Sequence, residues 1–178
     1  KKGVVFRWTD EMEEAWNKLK RLVRNLKWLY HPDQFKPFVV YTDASTRAMG
    51  ACLMQLQGNK YVPIEYLSKK FSKAEQKWPT CEQELFALVT TIRKWRPYLI
   101  TRNFTAYTDH KNLECLFGAH GKSVNRRLNN WKLLLAEYDF TVKHVRGERN
   151  VIADLLSRYG AVKKETLEEF HRLVLAAC

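Results

Sequence analysis

The 178-residue sequence lacks long apolar runs and closely spaced cysteines. Its hydrophobic stretches fall well short of the roughly 20 residues that a membrane-spanning helix needs, and no signal peptide is visible, so we expect no membrane segment. The wide spacing of the cysteines excludes a C-x-x-C zinc or redox motif and favours reduced, packed thiols. The sequence also lacks an initiator methionine, which is typical of a piece of a longer chain. The cysteines are Cys52, Cys81, Cys115 and Cys178.

Acidic residues are outnumbered by basic ones. The 31 Lys and Arg residues stand against 19 Asp and Glu, for a formal net charge of +12. This excess indicates a polyanionic partner, either nucleic acid or an anionic membrane surface, although a merely basic protein is the alternative. Hydrophobic residues make up 46% of the chain, enough for a packed core, and the length indicates one domain with an appendage.

Hydrophobic periodicity divides the chain into three parts. Residues Asp10–Tyr30 show apolar positions at three- and four-residue steps, which predicts a helix that Thr9 or Asp10 caps. Residues 1–36 therefore form a helix and a polar linker, and residues 37–159 form the main domain. Residues 160–178 form a linker followed by a predicted helix, Glu165–Ala177.

The main domain alternates between strand and helix patterns. Its order, β-β-β-α-β-α-α-β-α, predicts an α/β fold with a mixed five-stranded sheet, the first three strands antiparallel, flanked by helices. Thr80 and Gln83 fit a capping box, Pro97 is predicted to end the same helix, and Asn150 is predicted to cap the last one. The predicted strands are Pro37–Thr42, Ala48–Leu56, Lys60–Tyr66, Phe104–Thr108 and Phe140–Val145. The predicted helices are Cys81–Arg96, Lys111–Phe117, Val124–Glu137 and the one that follows Asn150.

Four carboxylates fall at positions that can converge. Asp43 and Asp109 end the first and fourth strands, and the carboxyl ends of parallel strands are neighbours at one edge of a sheet. Glu84 lies in the first turn of the long helix, and Asp154 lies one turn into the last helix. Each acid alone is better explained as a turn or surface residue, so the prediction rests on the combination.

Convergent carboxylates need a cation, because their mutual repulsion is otherwise costly. Hard oxygen ligands without a converging Cys or His indicate Mg²⁺ or Mn²⁺ rather than zinc. Two such ions are a known solution for in-line displacement at a phosphodiester. The sequence therefore predicts a nuclease-type metal site with two Mg²⁺ ions, for which Mn²⁺ can substitute.

Five segments in order resemble the ribonuclease H domain of reverse transcriptases, above all that of the Ty3/gypsy group of LTR retrotransposons. The resemblance covers about Pro37–Tyr159, and FRWTDEMEEAWNKLKRL before it resembles the end of the polymerase portion of such polyproteins. The segments are YTDAS at Tyr41–Ser45, PIEYLSKKFSKAEQ at Pro63–Gln76, EQELFALV at Glu82–Val89, YTDHKNL at Tyr107–Leu113 and HVRGERNVIADLLSR at His144–Arg158.

The resemblance implies a ribonuclease H fold and cleavage of the RNA strand of RNA–DNA hybrids with two divalent metals. By motif, Asp43, Glu84, Asp109 and Asp154 are the metal ligands, and His144 aids proton transfer or product release. The resemblance further implies a polymerase domain in the same polyprotein and a cytoplasmic retroelement particle. The short stretch between Asp109 and Asp154 leaves no room for the extra basic helix of some cellular ribonucleases H.

Substrate contacts are predicted on two grounds. Short polar side chains near the metals can read the ribose 2′-hydroxyls of the RNA strand, and basic side chains can hold phosphates. For any single basic residue, a solvated surface charge is an equally good interpretation. The candidate readers are Ser45, Thr46 and Asn112. The candidate phosphate contacts are Lys69, Lys70, Lys73, Arg126, Arg127 and Arg149.

Three alternatives remain open. A catalytically dead relative would bind hybrids, or connect other modules, without binding metal. An integrase-type enzyme of the same fold would place its glutamate late in the chain, whereas here Glu84 comes second and Asp154 last. A structural module that binds RNA through its charge alone would leave the converging acids unexplained.

Overall fold

A helix precedes the sheet in the sequence. The computed structural model describes residues 7–24, 29–118 and 125–158. Helix α1 spans Asp10–Arg24, and Oγ1 of Thr9 accepts a hydrogen bond from the Met12 backbone at 3.3 Å, which confirms the predicted cap. In these three ranges no helix has the length and apolar character needed to cross a membrane. The predicted segment 160–178, with its helix Glu165–Ala177, lies outside the described residues.

Five strands form one mixed sheet in the order β3-β2-β1-β4-β5. The first three strands are antiparallel neighbours, and β1–β4 and β4–β5 are parallel, as predicted. Gly58, with a φ of 63°, makes the turn between β2 and β3 at low steric cost. The strands are β1 Phe38–Ala44, β2 Ala48–Gln57, β3 Lys60–Lys70, β4 Phe104–Thr108 and β5 Phe140–His144.

Helices cover both faces of the sheet. After α1 they are α2 Thr80–Lys94, α3 Arg96–Leu99, α4 Lys111–Phe117, α5 Arg126–Leu135 and α6 Val151–Arg158, with 3₁₀ turns at Glu75–Lys77 and Gly147–Arg149. Leu85 and Leu88 of α2 and Leu128 of α5 belong to the main core, which also includes Ala51 of β2. The neighbouring residue, Gly50, lies against α6 instead, and adjacent strand residues point to opposite faces. Helix α6 therefore packs on the face opposite α2.

The predicted capping box of α2 is wrong. Thr80 is the first helical residue rather than the cap, and the Pro79 carbonyl accepts from the backbone N–H groups of Glu82 and Gln83. The Gln83 amide instead donates to the Glu75 carbonyl at 3.0 Å. At the other end α2 stops at Lys94, and Pro97 lies in the first turn of α3 rather than ending α2.

Asn150 precedes α6 as predicted but does not cap it. Its side-chain Nδ2 donates to the Thr42 carbonyl at 2.9 Å, so the amide faces β1 instead of the helix. Its buried Oδ1 has no hydrogen-bond partner among the described residues. Asn150 therefore ties the start of α6 to the end of β1.

The segment before β1 is attached to the sheet through Gln55. This fully buried side chain accepts from the Asp33 backbone N–H at 2.7 Å and donates to the Asp33 and Lys36 carbonyls, each at 2.9 Å. The Tyr30 backbone also donates to the Pro63 carbonyl of β3 at 3.0 Å. The domain boundary at residue 37 stays a prediction. In the structure, residues 30–36 are joined to the sheet by these hydrogen bonds.

Candidate metal centre

Parallel pairing of β1 and β4 brings two of the predicted acids together. Thr42 and Thr108 are partners in the register, so Asp43 and Asp109 come next on neighbouring strands. Glu84 reaches the same place from α2. It is the fifth residue of that helix, just past the predicted first turn, because the helix begins at Thr80. One oxygen of each of the three carboxylates lies within 4.8 Å of the others, and this is the one group of potential ligands found within the described ranges.

Two of the three acids, Asp43 and Glu84, occupy an environment that penalises their charge. Asp43 and Glu84 are each 3% exposed. Burial raises the pKa of Glu84 to about 9, and the charges of Asp43 and Asp109 add to the shift. Burial also raises the pKa of Asp43 to about 6; a hydrogen bond from Ser157 opposes this shift, and the charges of Asp109 and Asp154 increase it. A nearby cation would remove these penalties.

The donor set fits a hard divalent cation. Oε1 of Glu84 accepts from the Ala44 backbone at 3.1 Å, whereas its buried Oε2 has no hydrogen-bond partner within the described part of the chain. A buried acceptor that lacks a donor is rare, and here it lies within a cluster of carboxylates. Asp43, Glu84 and Asp109 thus offer the oxygen ligands that Mg²⁺ and Mn²⁺ prefer.

Asp154 lies beside this cluster but outside the group of three. Its charge raises the pKa of Asp43 after the larger effect of burial, so it is close enough to interact. Its Oδ1, however, accepts from Nε of Arg158 at 2.5 Å, one turn along α6. The role of Asp154 as a metal ligand stays a prediction.

His144 ends β5 beside the acids. Its Nε2 lies 3.1 Å from the Asp109 carbonyl. Since a carbonyl can only accept, Nε2 carries the hydrogen in this contact, and Nδ1 of the neutral ring is an acceptor. The exposed ring is therefore held at the rim of the site.

The three side chains predicted to contact ribose 2′-hydroxyls differ in their exposure and in the hydrogen bonds they make within the protein. The Ser45 hydroxyl donates its one hydrogen to the Ser157 carbonyl at 2.7 Å, with the Ala48 carbonyl 3.1 Å away, and accepts from two backbone N–H groups of its own turn, so its hydrogen-bonding capacity is already used within the fold. Thr46 is exposed in the same turn, and Asn112 is exposed at the start of α4. All three lie within three residues of an acid of the cluster.

Two of the candidate phosphate contacts are engaged within the protein. Arg127 forms an ion pair with Glu82, and its Cζ lies 4.5 Å from the ring centre of Trp78. Nζ of Lys69 lies 4.9 Å from the ring centre of Phe86. These contacts hold α2, α5 and β3 together. The exposed remainder comprises Lys70, Lys73, Arg126 and Arg149.

Sequence reasoning missed four residues that place the acids. Ser157 and Arg158 lie three and four positions after Asp154, a helical spacing that could have indicated a shared face. Gly50 and the inward turn of the Asn150 amide had no comparable signal, because both depend on where α6 packs. The contacts of Gly50 and of the Asn150 amide become apparent only in the folded structure.

The family follows from comparison with known proteins. A family model described as "RNase H-like domain found in reverse transcriptase" matches residues 33–138, more than half of the chain. This chain belongs to that family. This match confirms the predicted resemblance to the ribonuclease H domain of reverse transcriptases, and similarity to transposon polyproteins confirms the predicted retroelement group. The match takes in Asp43, Glu84 and Asp109 but ends before Asp154.

Similar RNase H-like domains occur in transposon polyproteins. The Retrovirus-related Pol polyprotein from transposon 412 of Drosophila melanogaster is 42% identical over 158 residues, covering 89% of this chain and 13% of the polyprotein. Transposon Tf2-3 polyprotein of Schizosaccharomyces pombe is 35% identical over 161 residues, covering 89% and 12% respectively. The chain thus spans about an eighth of the length of these relatives.

Solved structures confirm the predicted fold. The foamy viral protease-reverse transcriptase in complex with dsDNA matches with a TM-score of 0.59 at 19% identity, over 79% of this chain and 30% of that one. LC11-RNase H1 in complex with RNA/DNA hybrid matches with a TM-score of 0.55 at 15% identity, over 67% and 92%. At these identities the likeness shows the ribonuclease H fold.

Proposed function

We propose that this RNase H-like domain hydrolyses the RNA strand of RNA–DNA hybrids during reverse transcription of a retroelement. The observation that carries the proposal is the group formed by the buried Asp43 and Glu84 and the half-buried Asp109, where α2 meets the ends of two parallel strands. An uncompensated cluster of this kind is costly, and a bound divalent cation offsets the cost. Two divalent ions, when bound, supply an activated water and a counter-charge for the leaving oxygen.

The chain's own residues hold that site in a fixed shape. Asp43 and Asp109 come from adjacent strands, and Glu84 is fixed by the Ala44 N–H, so the ligands need little rearrangement on binding. Asp154 becomes the fourth metal ligand when its carboxylate breaks the ion pair with Arg158. His144, held through Nε2, can take a proton at Nδ1.

The proposed substrate surface combines short polar side chains close to the acids in sequence with exposed basic residues. Thr46 and Asn112 are placed to read ribose hydroxyls, and the exposed basic residues to hold phosphates. The polymerase domain of the same polyprotein is the expected covalent partner, and a cytoplasmic retroelement particle is the expected setting. Hybrid affinity should fall steeply with salt, because phosphate contacts release counterions.

A cleavage assay tests the proposal. The chain is mixed with a labelled RNA–DNA hybrid in Mg²⁺ and in EDTA, with single-stranded RNA and duplex DNA as controls. We expect metal-dependent cutting of RNA in the hybrid alone, and loss of cutting in Asp109→Asn, which keeps the side-chain shape. Binding of the hybrid without cutting, in Mn²⁺ as well as Mg²⁺, would instead indicate a binding module.

A further inference from the structure

Ser157 is a buried serine in contact with the acidic cluster. It lies on α6, its side chain is 0% exposed, and its Oγ donates a hydrogen bond to Oδ2 of Asp43. The same Oγ lies 2.7 Å from the Asp154 carbonyl. A hydroxyl has one hydrogen, and the bond to a charged carboxylate is the stronger of the two, so Asp43 is the acceptor that matters.

The position of Ser157 is fixed independently of Asp43. Its backbone carbonyl accepts from Oγ of Ser45 at 2.7 Å, and the preceding carbonyl, of Leu156, accepts from Oγ of Ser68 at 2.7 Å. Gly50 lies directly beneath, where a side chain would clash with the Ser157 backbone nitrogen. The hydroxyl is therefore presented to Asp43 from a rigid support.

One hydrogen bond thus joins two parts of the acidic site. Asp43 stands on β1, whereas Asp154 stands on α6, on the opposite face of the sheet from α2. A buried carboxylate with a single fixed donor is restricted in its side-chain rotation, and that restriction sets which way its free lone pairs point. Without the hydroxyl, Oδ2 of Asp43 would be buried beside other acids and would lose the side-chain donor that the described residues provide.

We propose that Ser157 is a positioning residue that orients Asp43 for metal binding and couples that orientation to the placement of α6, which carries Asp154. The inference rests on the proposed function, since it assumes that Asp43 is a metal ligand. It does not assume that Ser157 touches metal or substrate. Hydrogen-bond partners of metal ligands typically contribute about 10- to 100-fold to metal affinity.

The test compares two serines that both hold α6. Ser157→Ala removes the bond to Asp43, whereas Ser68→Ala removes a bond to the Leu156 carbonyl and leaves Asp43 untouched. Mg²⁺ is titrated into the whole chain without nucleic acid and followed by NMR or calorimetry, and Tm is measured in EDTA. We expect metal binding about 10- to 100-fold weaker in Ser157→Ala. In Ser68→Ala we expect it to stay close to wild type, even if Tm falls, because the Ser45 hydrogen bond and the packing on Gly50 still hold α6 and the Ser157 hydroxyl is retained.

Cleavage kinetics give a second measurement. In Ser157→Ala the Mg²⁺ concentration for half-maximal cutting should rise, with kcat largely restored at saturating Mg²⁺. Ser157→Cys, which keeps a weak donor of similar size, should fall between wild type and Ser157→Ala and serves if the alanine variant does not fold. Equal Mg²⁺ affinity in wild type and both Ser157 variants would overturn this inference alone. A wild-type chain that binds neither Mg²⁺ nor Mn²⁺ would overturn the proposed function as well.

Discussion

Arg158 donates from Nε to Oδ1 of Asp154 at 2.5 Å across one turn of α6. The hydrogen bond and the charge of Asp154 raise the pKa of Arg158, and Asp43 and Asp109 raise it further. The guanidinium therefore lies in the field of three of the four predicted acids. In the absence of metal, it is the positive charge that faces Asp154.

Removing this cation should strengthen metal binding. In Arg158→Gln, Asp154 is free to turn toward the cluster, so we expect Mg²⁺ affinity to rise by about two- to fivefold, the scale of a surface ion pair. Titration of Mg²⁺ into the chain measures it, with Arg93→Gln on the exposed side of α2 as the control. Weaker binding in Arg158→Gln would mean that Arg158 supports the site rather than competing for it.

Loss of an acid should stabilise the metal-free chain while abolishing its chemistry. Asp109→Asn removes one source of the repulsion that raises the pKa of Glu84, after the larger effects of burial and Asp43. We expect the Tm of Asp109→Asn in EDTA to be a few degrees above that of wild type, which corresponds to roughly 1 kcal/mol of unfolding free energy. Added Mg²⁺ should not raise the Tm of this variant further. The exposed Asp139→Asn is the control, and a fall in Tm for Asp109→Asn would contradict the account.

Stability without metal should fall as pH rises. Burial and neighbouring acids raise the pKa of Asp43 from 3.8 to about 6 and that of Glu84 from 4.5 to about 9. Between the unfolded and folded pKa values the folded state binds more protons, so the slope of stability against pH is negative. Below about pH 4 both carboxyls are protonated in the folded and the unfolded state, and their burial costs the folded state least. The free energy of unfolding then falls as pH rises through about 6, where Asp43 ionises, and about 9, where Glu84 ionises.

Urea unfolding in EDTA measures this dependence at about pH 5, 7 and 9. Glu84→Gln should flatten the upper part of the curve, because the amide stays neutral at every pH. Saturating Mg²⁺ should have a similar effect in wild type, because the metal favours the ionised carboxylates. An identical pH profile in wild type and Glu84→Gln would show that Glu84 ionises normally.

A side chain at Gly50 should displace α6. A Cβ there would lie 2.7 Å from the Leu156 carbonyl carbon and would also clash with the Ala153 carbonyl and the Ser157 nitrogen. We expect Gly50→Ala to cost about 1–3 kcal/mol and to weaken Mg²⁺ binding, because Ser157 and Asp154 move with the helix. Gly118→Ala is the control, since its nearest neighbour is 3.4 Å away. Wild-type Tm and metal affinity in Gly50→Ala would show that α6 adjusts without loss.

Gln55 should determine whether the segment before β1 stays attached. Gln55→Leu leaves one backbone N–H and two carbonyls of residues 33–36 without their partner, at about 1–3 kcal/mol for each group that stays buried. We expect faster amide exchange over residues 29–36 and a lower Tm. The exposed Leu56→Gln is the matched control. Unchanged exchange in Gln55→Leu would show that other contacts hold the segment.

Local sequence signals were sufficient for most of the fold. The strand pattern predicted β4 at Phe104–Thr108, and the helix pattern predicted α4 at Lys111–Phe117, both with the observed bounds. The signals failed at the starts of two helices. Thr80 and Asn150 have good capping chemistry, but the helix starts one residue early at Thr80, and the Asn150 amide bonds to β1.

The candidate site was partly visible in the chain as well. The positions of Asp43 and Asp109 after predicted parallel strands were enough to bring them together, because parallel pairing fixes which strand ends meet. The i,i+4 spacing of Asp154 and Arg158 was compatible with their pairing, whereas the pairing of Arg127 with Glu82, 45 positions away, could not be read from any local pattern. Long side chains choose among several partners within reach, and that choice depends on the packing around them.

By itself the sequence determined the order of the elements, the mixed sheet and the placement of the acids at strand and helix ends, because these follow from local periodicity and strand direction. Only the tertiary structure decided that α6 packs against Gly50 and brings the Ser157 hydroxyl to Asp43. These contacts join residues more than 100 positions apart, and no local pattern records which side chains will meet when two distant segments pack together.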